Sequence, residues 1–317
     1  MESACRRAGL ALRLVSARST SEARSALARL KPRVIVVDSI AIPIAAPLAR
    51  WAHQTLHARV IALMHMPTTA RGTRAVLRTA DRVVAVSPDL ARALARAGVP
   101  RTRLTVIEPG SDAIPRAPRR RAPPRGARAT PREQGLLRVL AVANWSPTKG
   151  IATLVAAAAK VPEMRLDLVG DVGSGAYRDS VLARIRSGGL AGRVVIHGAL
   201  DERSLASRYA QADIFALPTE REGYGIVFAE ALRQGLLIIA ADIAPVRRVV
   251  GDAGVFVPPR RVRPLVTALR LMTNAWLRGR LARSARVRAR ALPRWRTSQL
   301  LFVALVRHEM HVAASGR

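Results

Sequence analysis

Short runs rich in β-branched residues alternate along this chain with longer stretches of helical periodicity, and this alternation limits the fold to one class. Parallel strands need a long crossover between them, usually a helix, whereas antiparallel strands need only a tight turn. The alternation therefore predicts repeated βαβ units, in which helices cover both faces of a parallel sheet. A chain of 317 residues is long enough for two such α/β domains.

The strand candidates fall into two series, separated by a segment of different composition. The first series comprises residues 11–15, 33–38, 59–64, 82–87 and 104–108. The second comprises residues 137–143, 165–169, 193–196, 213–217, 236–240 and 254–257. Six strands at this spacing predict one doubly wound domain, so the predicted fold is α/β with two Rossmann-like domains.

The helical stretches between these strands carry start signals. Ser87, Pro88 and Asp89 combine an N-cap side chain, a proline in the first turn and an acid at the positive end of the helix dipole. In the first series, helices are predicted at residues 22–30, 46–56 and 88–97. In the second series, crossover helices are predicted to start near residues 149, 176, 204, 225 and 244, and the chain after Pro264 is predicted to be helical.

The segment between the two series has the composition of a linker. Residues 115–132 contain five prolines and seven arginines and almost no large apolar side chain, which favours an extended, self-repelling chain. The predicted organisation is an N-terminal domain at residues 1–114, a linker at 115–134 and a C-terminal domain at 135–295. We expect a last helix, at 296–317, that can pack back on the first domain.

The formal charge of +32 raises the question of an anionic partner. Only three of the 53 basic residues are lysine, and this arginine bias is also what a GC-rich coding preference produces. Attraction to phosphorylated substrates, anionic lipid or nucleic acid is the alternative. Because aromatic residues make up only 3% of the chain, a stacking platform for single-stranded nucleic acid is disfavoured.

The cysteine content and the length of the apolar runs indicate the cellular compartment of the protein. Cys5 is the one cysteine of the sequence, which excludes an internal disulfide framework and a cysteine-based zinc site. No run reaches the ~18 apolar residues of a membrane span, and the arginines close to Met1 make a poor secretory signal. We expect a cytoplasmic protein, with peripheral contact at the inner membrane face left open by its charge.

The most informative stretch follows the predicted strand at 213–217 and opens the next helix. It reads Glu222-Gly223-Tyr224-Gly225-Ile226-Val227-Phe228-Ala229-Glu230. The glycines let backbone N–H groups approach an anion at the positive end of the helix. The two glutamates are eight residues apart, about two helical turns, so we expect them on one face. This pattern suits a sugar nucleotide, although an ordinary helix cap with a surface glutamate would look the same.

A lysine turn lies between the first strand and first helix of the second domain. It reads Asn144-Trp145-Ser146-Pro147-Thr148-Lys149-Gly150, at the turn that handles phosphates in doubly wound sheets. A lysine there can stabilise a leaving diphosphate without a metal ion. The alternative is a solvated lysine at a helix start.

In their order along the chain, these motifs resemble those of the GT-B glycosyltransferases of family four. That large group contains retaining enzymes that depend on nucleotide sugars. The matching stretches are residues 106–112, 142–150, 209–219 and 222–235, and the resemblance extends along most of the chain. It implies the GT-B fold and the transfer of a hexose from a nucleotide-diphosphate sugar to an acceptor hydroxyl.

The resemblance also implies roles for individual residues. Lys149 would bind the diphosphate and Glu222 the hydroxyls of the donor sugar, and His65 would face that sugar from the first domain; these three are the implied catalytic residues. Glu230 would accept the ribose hydroxyls. The implied donor-binding residues are Asn144, Gly223, Tyr224, Gly225, Ile226 and Glu230. From the residues alone, His65 is equally readable as a half-buried histidine at a strand end.

The implied chemistry needs no cofactor beyond the donor substrate. The sequence contains no Asp-x-Asp metal motif, and no carboxylate nucleophile stands out in the first domain. We therefore expect a metal-independent front-face reaction through an oxocarbenium-like transition state. The expected partners are the nucleotide-sugar donor and an acceptor that is a glycan, a lipid-linked molecule or a small molecule, without specific nucleic acid.

The match has two gaps. Asn144 stands where many relatives carry arginine, and Thr148 stands where a second basic residue sometimes precedes the lysine, so the cationic cradle is thinner. The family's first strand and glycine-rich loop have no counterpart, and we expect an N-terminal domain truncated by about one βα unit. These gaps keep a second hypothesis open, a non-catalytic or decayed nucleotide-sugar-binding homologue. A third is a basic protein that binds nucleic acid or a membrane surface.

Overall fold

The computed structural model describes residues 2–67, 70–116 and 136–315. Within these ranges the chain forms ten strands and thirteen α-helices. The strands are β1 (Val34–Asp38), β2 (Arg59–Met64), β3 (Arg82–Ala85), β4 (Leu104–Val106), β5 (Leu137–Val142), β6 (Met164–Val169), β7 (Val194–Gly198), β8 (Ile214–Leu217), β9 (Leu237–Ala241) and β10 (Gly254–Val257). The helices are α1 (Glu2–Arg7), α2 (Thr20–Leu30), α3 (Ile42–Leu56), α4 (Thr73–Thr79), α5 (Pro88–Arg96), α6 (Ile151–Ala158), α7 (Ala176–Ser187), α8 (Glu202–Gln211), α9 (Ile226–Arg233), α10 (Ala244–Val250), α11 (Val262–Leu271), α12 (Ala275–Ala291) and α13 (Trp295–Ser315).

The chain separates into two compact units. The first consists of Met1–Gly110 together with Pro293–Arg317, and the second of Ser111–Leu292. The first unit therefore contains β1–β4, α1–α5 and the last helix, α13. From residue 117 onward, the segment predicted as a linker at 115–134 lies outside the described residues.

The first unit is a parallel sheet of four strands in the order β1-β2-β3-β4. On one face, Phe302 of α13 joins Ile61, Val84 and Ile107 in a buried apolar cluster. A second cluster is built around residues of α2 and α3: Ala23, Leu27 and Leu48. This arrangement is the α/β packing that the alternation predicted.

The N-terminal segment differs from the prediction. Residues 11–15 were expected to form a strand, but in the structure they form none, and Leu14 is 94% exposed. Leu10 and Leu12 pack instead against Ala4 and Val303, which belong to α1 and α13. The strand prediction is wrong because β propensity needs the hydrogen bonds of a neighbouring strand, and this segment packs its apolar side chains on helices.

The helix α13 is tied to the first sheet by a buried acid. Glu309 is fully buried and accepts hydrogen bonds from Arg59 at 2.6 and 2.8 Å and from Arg82 at 2.7 Å. Arg59 begins β2 and Arg82 begins β3, so all three bonds lie at the amino ends of these strands. Burial opposes the ionisation of Glu309, but the bonds from Arg82 and Arg59 outweigh it and lower its pKa.

The second unit is a parallel sheet of six strands in the order β10-β9-β8-β5-β6-β7. Numbered within the unit, this is the doubly wound order 3-2-1-4-5-6 of a Rossmann fold. The strand order reverses between β5 and β8, which are paired through Val139 and Ile214. In open parallel sheets such a reversal leaves a crevice at the carboxyl ends of the two central strands, and ligands bind there.

The described residues contain neither a membrane span nor a metal cluster. None of their helices combines the length and the apolar character needed to cross a bilayer. None of their histidine, cysteine and carboxylate side chains form a group of three or more suited to a metal ion.

Candidate functional site

The lysine turn and the glutamate loop meet at the reversal point of the second sheet. The lysine turn follows β5, and the glutamate loop follows β8, the adjacent strand. Thr148 accepts a hydrogen bond at its carbonyl oxygen from the backbone of Glu220 at 2.7 Å and another from the hydroxyl of Thr219 at 3.2 Å. The two loops are therefore joined by hydrogen bonds to one backbone carbonyl.

Gly150 is required by this junction. It has a φ of +71°, and a Cβ atom on it would lie 2.3 Å from the carbonyl oxygen of Pro218. A side chain at this position would push the lysine turn away from the end of β8. The glycine after Lys149 thus sets how closely the two loops approach each other.

Lys149 and Glu222 form an ion pair across the junction. The Nζ atom of Lys149 lies 2.6 Å from Oε1 of Glu222, and their side chains are 25% and 11% exposed. Both residues were predicted as ligands of different parts of a donor, and not as partners of each other. The structure brings them together at the edge where a ligand would bind.

The glycines after Glu222 lead into α9. Gly223, Tyr224 and Gly225 are buried, and Ile226, the first residue of the helix, is half-buried. Gly225 has a φ of +95°, which favours glycine, and no side chain of the described part of the chain caps the helix there. The positive end of the α9 dipole therefore begins four residues after Glu222.

Glu230 lies inside the second unit. Its side chain, 9% exposed, accepts a hydrogen bond of 3.2 Å from the hydroxyl of Tyr209 on α8. Burial raises the pKa of Glu230 to about 7; the Tyr209 bond opposes this rise and the charge of Glu202 adds to it. The carboxyl group of Glu230 therefore gains or loses its proton near neutral pH.

The prediction that the two glutamates lie on one face of a helix is wrong. Eight residues of separation predicted two helical turns on one face, but α9 begins only at Ile226, so Glu222 belongs to the loop before it. Glu222 pairs with Lys149, whereas Glu230 pairs with Tyr209. The spacing rule fails because glycines at 223 and 225 delay the start of the helix.

Asn144 joins two loops at the same edge of the sheet. Its Oδ1 atom accepts a hydrogen bond from the backbone of Asp171 at 3.1 Å, and Trp145 donates its backbone N–H to the carbonyl of Asp171 at 2.8 Å. Asp171 follows β6, the other neighbour of β5. In this structure Asn144 therefore orders the loop after β6; its role toward a donor stays a prediction.

His65 lies in the first unit, just after β2. Its Nε2 atom is 2.8 Å from Oδ2 of Asp38, the last residue of β1, and both side chains are about 40% exposed. Asp38 was not predicted, although an acid and a histidine at the ends of two neighbouring parallel strands are a signal for such a pair. The expected approach of His65 to a donor sugar stays a prediction.

Two further partners were not found from the sequence. Tyr209 lies in the family-like stretch at residues 209–219, and its hydroxyl donates a hydrogen bond to Glu230. Arg260, 76% exposed, places its guanidinium 2.6 Å from Glu220. Nothing local marks these contacts, because each joins residues from different loops or helices of the folded unit.

The chain has the GT-B fold, which contains two Rossmann-like units, each with a parallel sheet. Solved structures of this kind match nearly the whole chain. Sucrose-phosphate synthase of Thermosynechococcus elongatus is similar over 92% of this chain and 77% of its own, with a TM-score of 0.75 and 24% identity. Anabaena HepE in complex with UDP and glucose is similar over 96% of this chain and 88% of its own, with a TM-score of 0.77 and 18% identity.

The sequence comparisons identify the family. The model of the group 1 glycosyl transferases matches residues 127–288, and that of Glycosyltransferase Family 4 matches residues 4–113. The chain belongs to the family 4 type of GT-B glycosyltransferases, as the motifs predicted. The D-inositol 3-phosphate glycosyltransferase of Rhodococcus erythropolis is 30% identical over 245 residues, 72% of this chain and 55% of its own length. The chain spans about half the length of the curated relatives it matches.

Proposed function

We propose that this chain transfers a hexose from a nucleotide-diphosphate sugar to an acceptor hydroxyl, with retention of configuration at the anomeric carbon and without a metal ion. The contact between Lys149 and Glu222 carries the proposal. It places a cation suited to a diphosphate beside a carboxylate suited to sugar hydroxyls, at the reversal point of a Rossmann sheet.

The described residues offer a partner for each part of such a donor. Lys149 and the first N–H groups of α9 would hold the diphosphate, since both present positive charge. Glu222 would accept hydroxyls of the sugar, and Glu230 would accept those of the ribose. Asn144, Gly223, Tyr224, Gly225 and Ile226 would line the same pocket.

The proposed reaction breaks the bond between the anomeric carbon and the diphosphate oxygen. Positive charge grows on the sugar ring while negative charge grows on the leaving diphosphate, which Lys149 stabilises. The acceptor oxygen attacks from the same face and gives its proton to the departing phosphate oxygen, so that configuration is retained. His65 keeps, as part of this proposal, the role toward the donor sugar that the family resemblance implies.

The comparisons guide the choice of substrates. Solved HepE structures are complexes with UDP and with UDP-glucose, and the curated relatives are named as transferases to an inositol phosphate. UDP-glucose is therefore the first donor to test, and a phosphorylated polyol the first acceptor. A phosphorylated acceptor also suits a chain of formal charge +32.

The test is transfer by the purified full chain. UDP release from UDP-glucose, with and without inositol phosphate and in the presence of EDTA, measures activity and metal dependence, and proton NMR of the product gives the anomeric configuration. The Lys149→Ala variant is the control for reaction at this site. An inverted product would contradict the retaining mechanism. Donor binding without turnover for a panel of acceptors would support the alternative of a non-catalytic binding protein.

A further inference from the structure

The ammonium group proposed to hold the diphosphate is paired with a carboxylate of the same unit. The Nζ atom of Lys149 lies 2.6 Å from Oε1 of Glu222. We infer that Glu222 makes the site discriminate between an intact sugar nucleotide and the bare nucleoside diphosphate, by competing with the diphosphate for Lys149. This inference rests on the proposed function and assigns Glu222 a role in specificity and product release.

The surroundings make this competition effective. The two loops are fastened together by the bonds from Glu220 and Thr219 to the carbonyl of Thr148, so the carboxylate stays within reach of the ammonium. At 11% exposure, the carboxylate of Glu222 is shielded from water, so solvent screens its charge only weakly. A half-buried pair of this kind resists separation more than an exposed surface pair does.

The two ligands differ in the hydrogen-bond donors that they offer to the carboxylate of Glu222. A sugar nucleotide takes Lys149 with its diphosphate but offers sugar hydroxyls, which can donate hydrogen bonds to the displaced carboxylate. A bare diphosphate offers no donor, and its terminal phosphate carries additional negative charge toward the carboxylate. Glu222 therefore penalises the bare diphosphate more than the sugar nucleotide.

The same difference acts after transfer. Once the sugar has left, the carboxylate loses its hydroxyl partners and the nearest cation is Lys149, which is holding the product diphosphate. The return of Glu222 to Lys149 weakens the hold on the diphosphate and speeds its release. Glu222 thus lowers the affinity for the product without an equal loss of affinity for the donor.

The glutamate loop contains its own control. Glu220, two residues before Glu222, also forms an ion pair at 2.6 Å, but with Arg260, whose side chain is 76% exposed. Replacing either glutamate by glutamine removes one negative charge from the same loop. Only Glu222→Gln frees Lys149, so the pair of variants separates competition for the lysine from a general change of charge.

The experiment measures UDP and UDP-glucose dissociation constants by titration calorimetry, and UDP release by stopped flow, on the full chain. We expect Glu222→Gln to bind UDP on the order of tenfold more tightly, with slower release; tenfold corresponds to about 1.4 kcal/mol, close to one hydrogen bond to a charged group. UDP-glucose affinity should be unchanged or weaker, and Glu220→Gln should change neither constant by more than about twofold. In the Lys149→Gln background, the gain from Glu222→Gln should shrink to less than about threefold.

Several results would overturn the inference. UDP affinity that is unchanged or weaker in Glu222→Gln would do so, as would an equal gain in Glu220→Gln. Glu222→Asp, whose shorter side chain draws the carboxylate back from Lys149, should give an intermediate gain and serves if the glutamine variant folds poorly. A wild-type chain that binds neither UDP nor UDP-glucose would remove the proposed donor, and the inference with it; tight UDP binding without the Glu222 effect would remove the inference alone.

Discussion

The carboxylate of Glu309 lies 2.6 Å from the guanidinium of Arg59, although the two residues are 250 positions apart in the sequence. One belongs to the last helix and the other begins the second strand of the first sheet. Glu309 is fully buried and also bonds Arg82. Two strands of the first sheet are therefore joined to the C-terminal helix through a single acid.

Glu309→Gln should destabilise the first unit by about 3 kcal/mol, because it leaves two guanidinium groups with part of their charge uncompensated. Urea unfolding measures the change. Arg92→Gln breaks the i,i+3 pair of Arg92 with Asp89, in which Arg92 is 53% exposed, and should cost less than about 1 kcal/mol. Equal losses in the two variants would show that burial of Glu309 adds nothing to its ion pairs.

The stability of the second unit should depend on the titration of Glu230. Burial raises its pKa from 4.5 to about 7, so the folded chain holds this proton more tightly than the unfolded chain. The stability that the protonated group contributes is complete below the unfolded pKa and is lost as the pH rises through the folded pKa. Glu230→Gln cannot ionise and should be spared this loss.

The measurement is the free energy of unfolding in urea between pH 4 and pH 8 for both chains. The advantage of Glu230→Gln over the wild type should grow by on the order of 3 kcal/mol across this range. Tyr209→Phe removes the hydrogen bond that opposes the rise in the pKa of Glu230. In this variant the loss of stability should therefore have its midpoint at a higher pH than in the wild type. An advantage that stays constant with pH would mean that Glu230 titrates normally.

Lys149 should matter more to turnover than to folding. A cation that meets charge growing on the leaving diphosphate stabilises the transition state more than the ground state, so Lys149→Ala should lower kcat on the order of 10²-fold. Lys160→Ala is the matched control, since Lys160 is exposed just after α6. A Lys149→Ala chain with a normal rate and a lower melting temperature would mark the residue as structural.

Gly150→Ala should disturb the junction of the two loops. The added Cβ would meet the carbonyl oxygen of Pro218 at 2.3 Å, and the left-handed φ of +71° adds strain. Together these predict a loss of about 2–5 kcal/mol. Gly189, with a φ of +62° and open space around its Cβ position, separates the two effects: Gly189→Ala should cost only the strain, about 1–2 kcal/mol. Equal costs in urea unfolding would show that the loops can move apart freely.

Much of the secondary structure could be predicted from local patterns. All six strands of the second sheet lie where the β-branched runs predicted them, within two residues at each end. The predicted N-cap is confirmed, since Ser87 accepts a hydrogen bond from the backbone of Leu90 at 3.1 Å. These features succeed because a cap or a buried strand is determined by residues close together in the sequence.

The local errors have local causes. The prediction began α3 at residue 46, whereas the helix starts at Ile42. Pro43 lies in the first turn, where its missing N–H is not needed, and Pro47 is accommodated inside the helix. The prediction for residues 11–15 failed differently, because a strand also needs a partner that the segment itself cannot supply.

By itself, the amino-acid sequence predicted the fold class and the family correctly, and it singled out the residues proposed to hold a diphosphate and a sugar. It could not determine which of those residues touch. Lys149 meets Glu222 because β5 and β8 are neighbours in the sheet, and Glu230 meets Tyr209 because the hydroxyl of Tyr209, on α8, reaches Val227 and Glu230 of α9. Only the tertiary structure decided these contacts, since strand order and helix packing minimise the free energy of the whole chain, whereas propensities and motifs report on a few residues at a time.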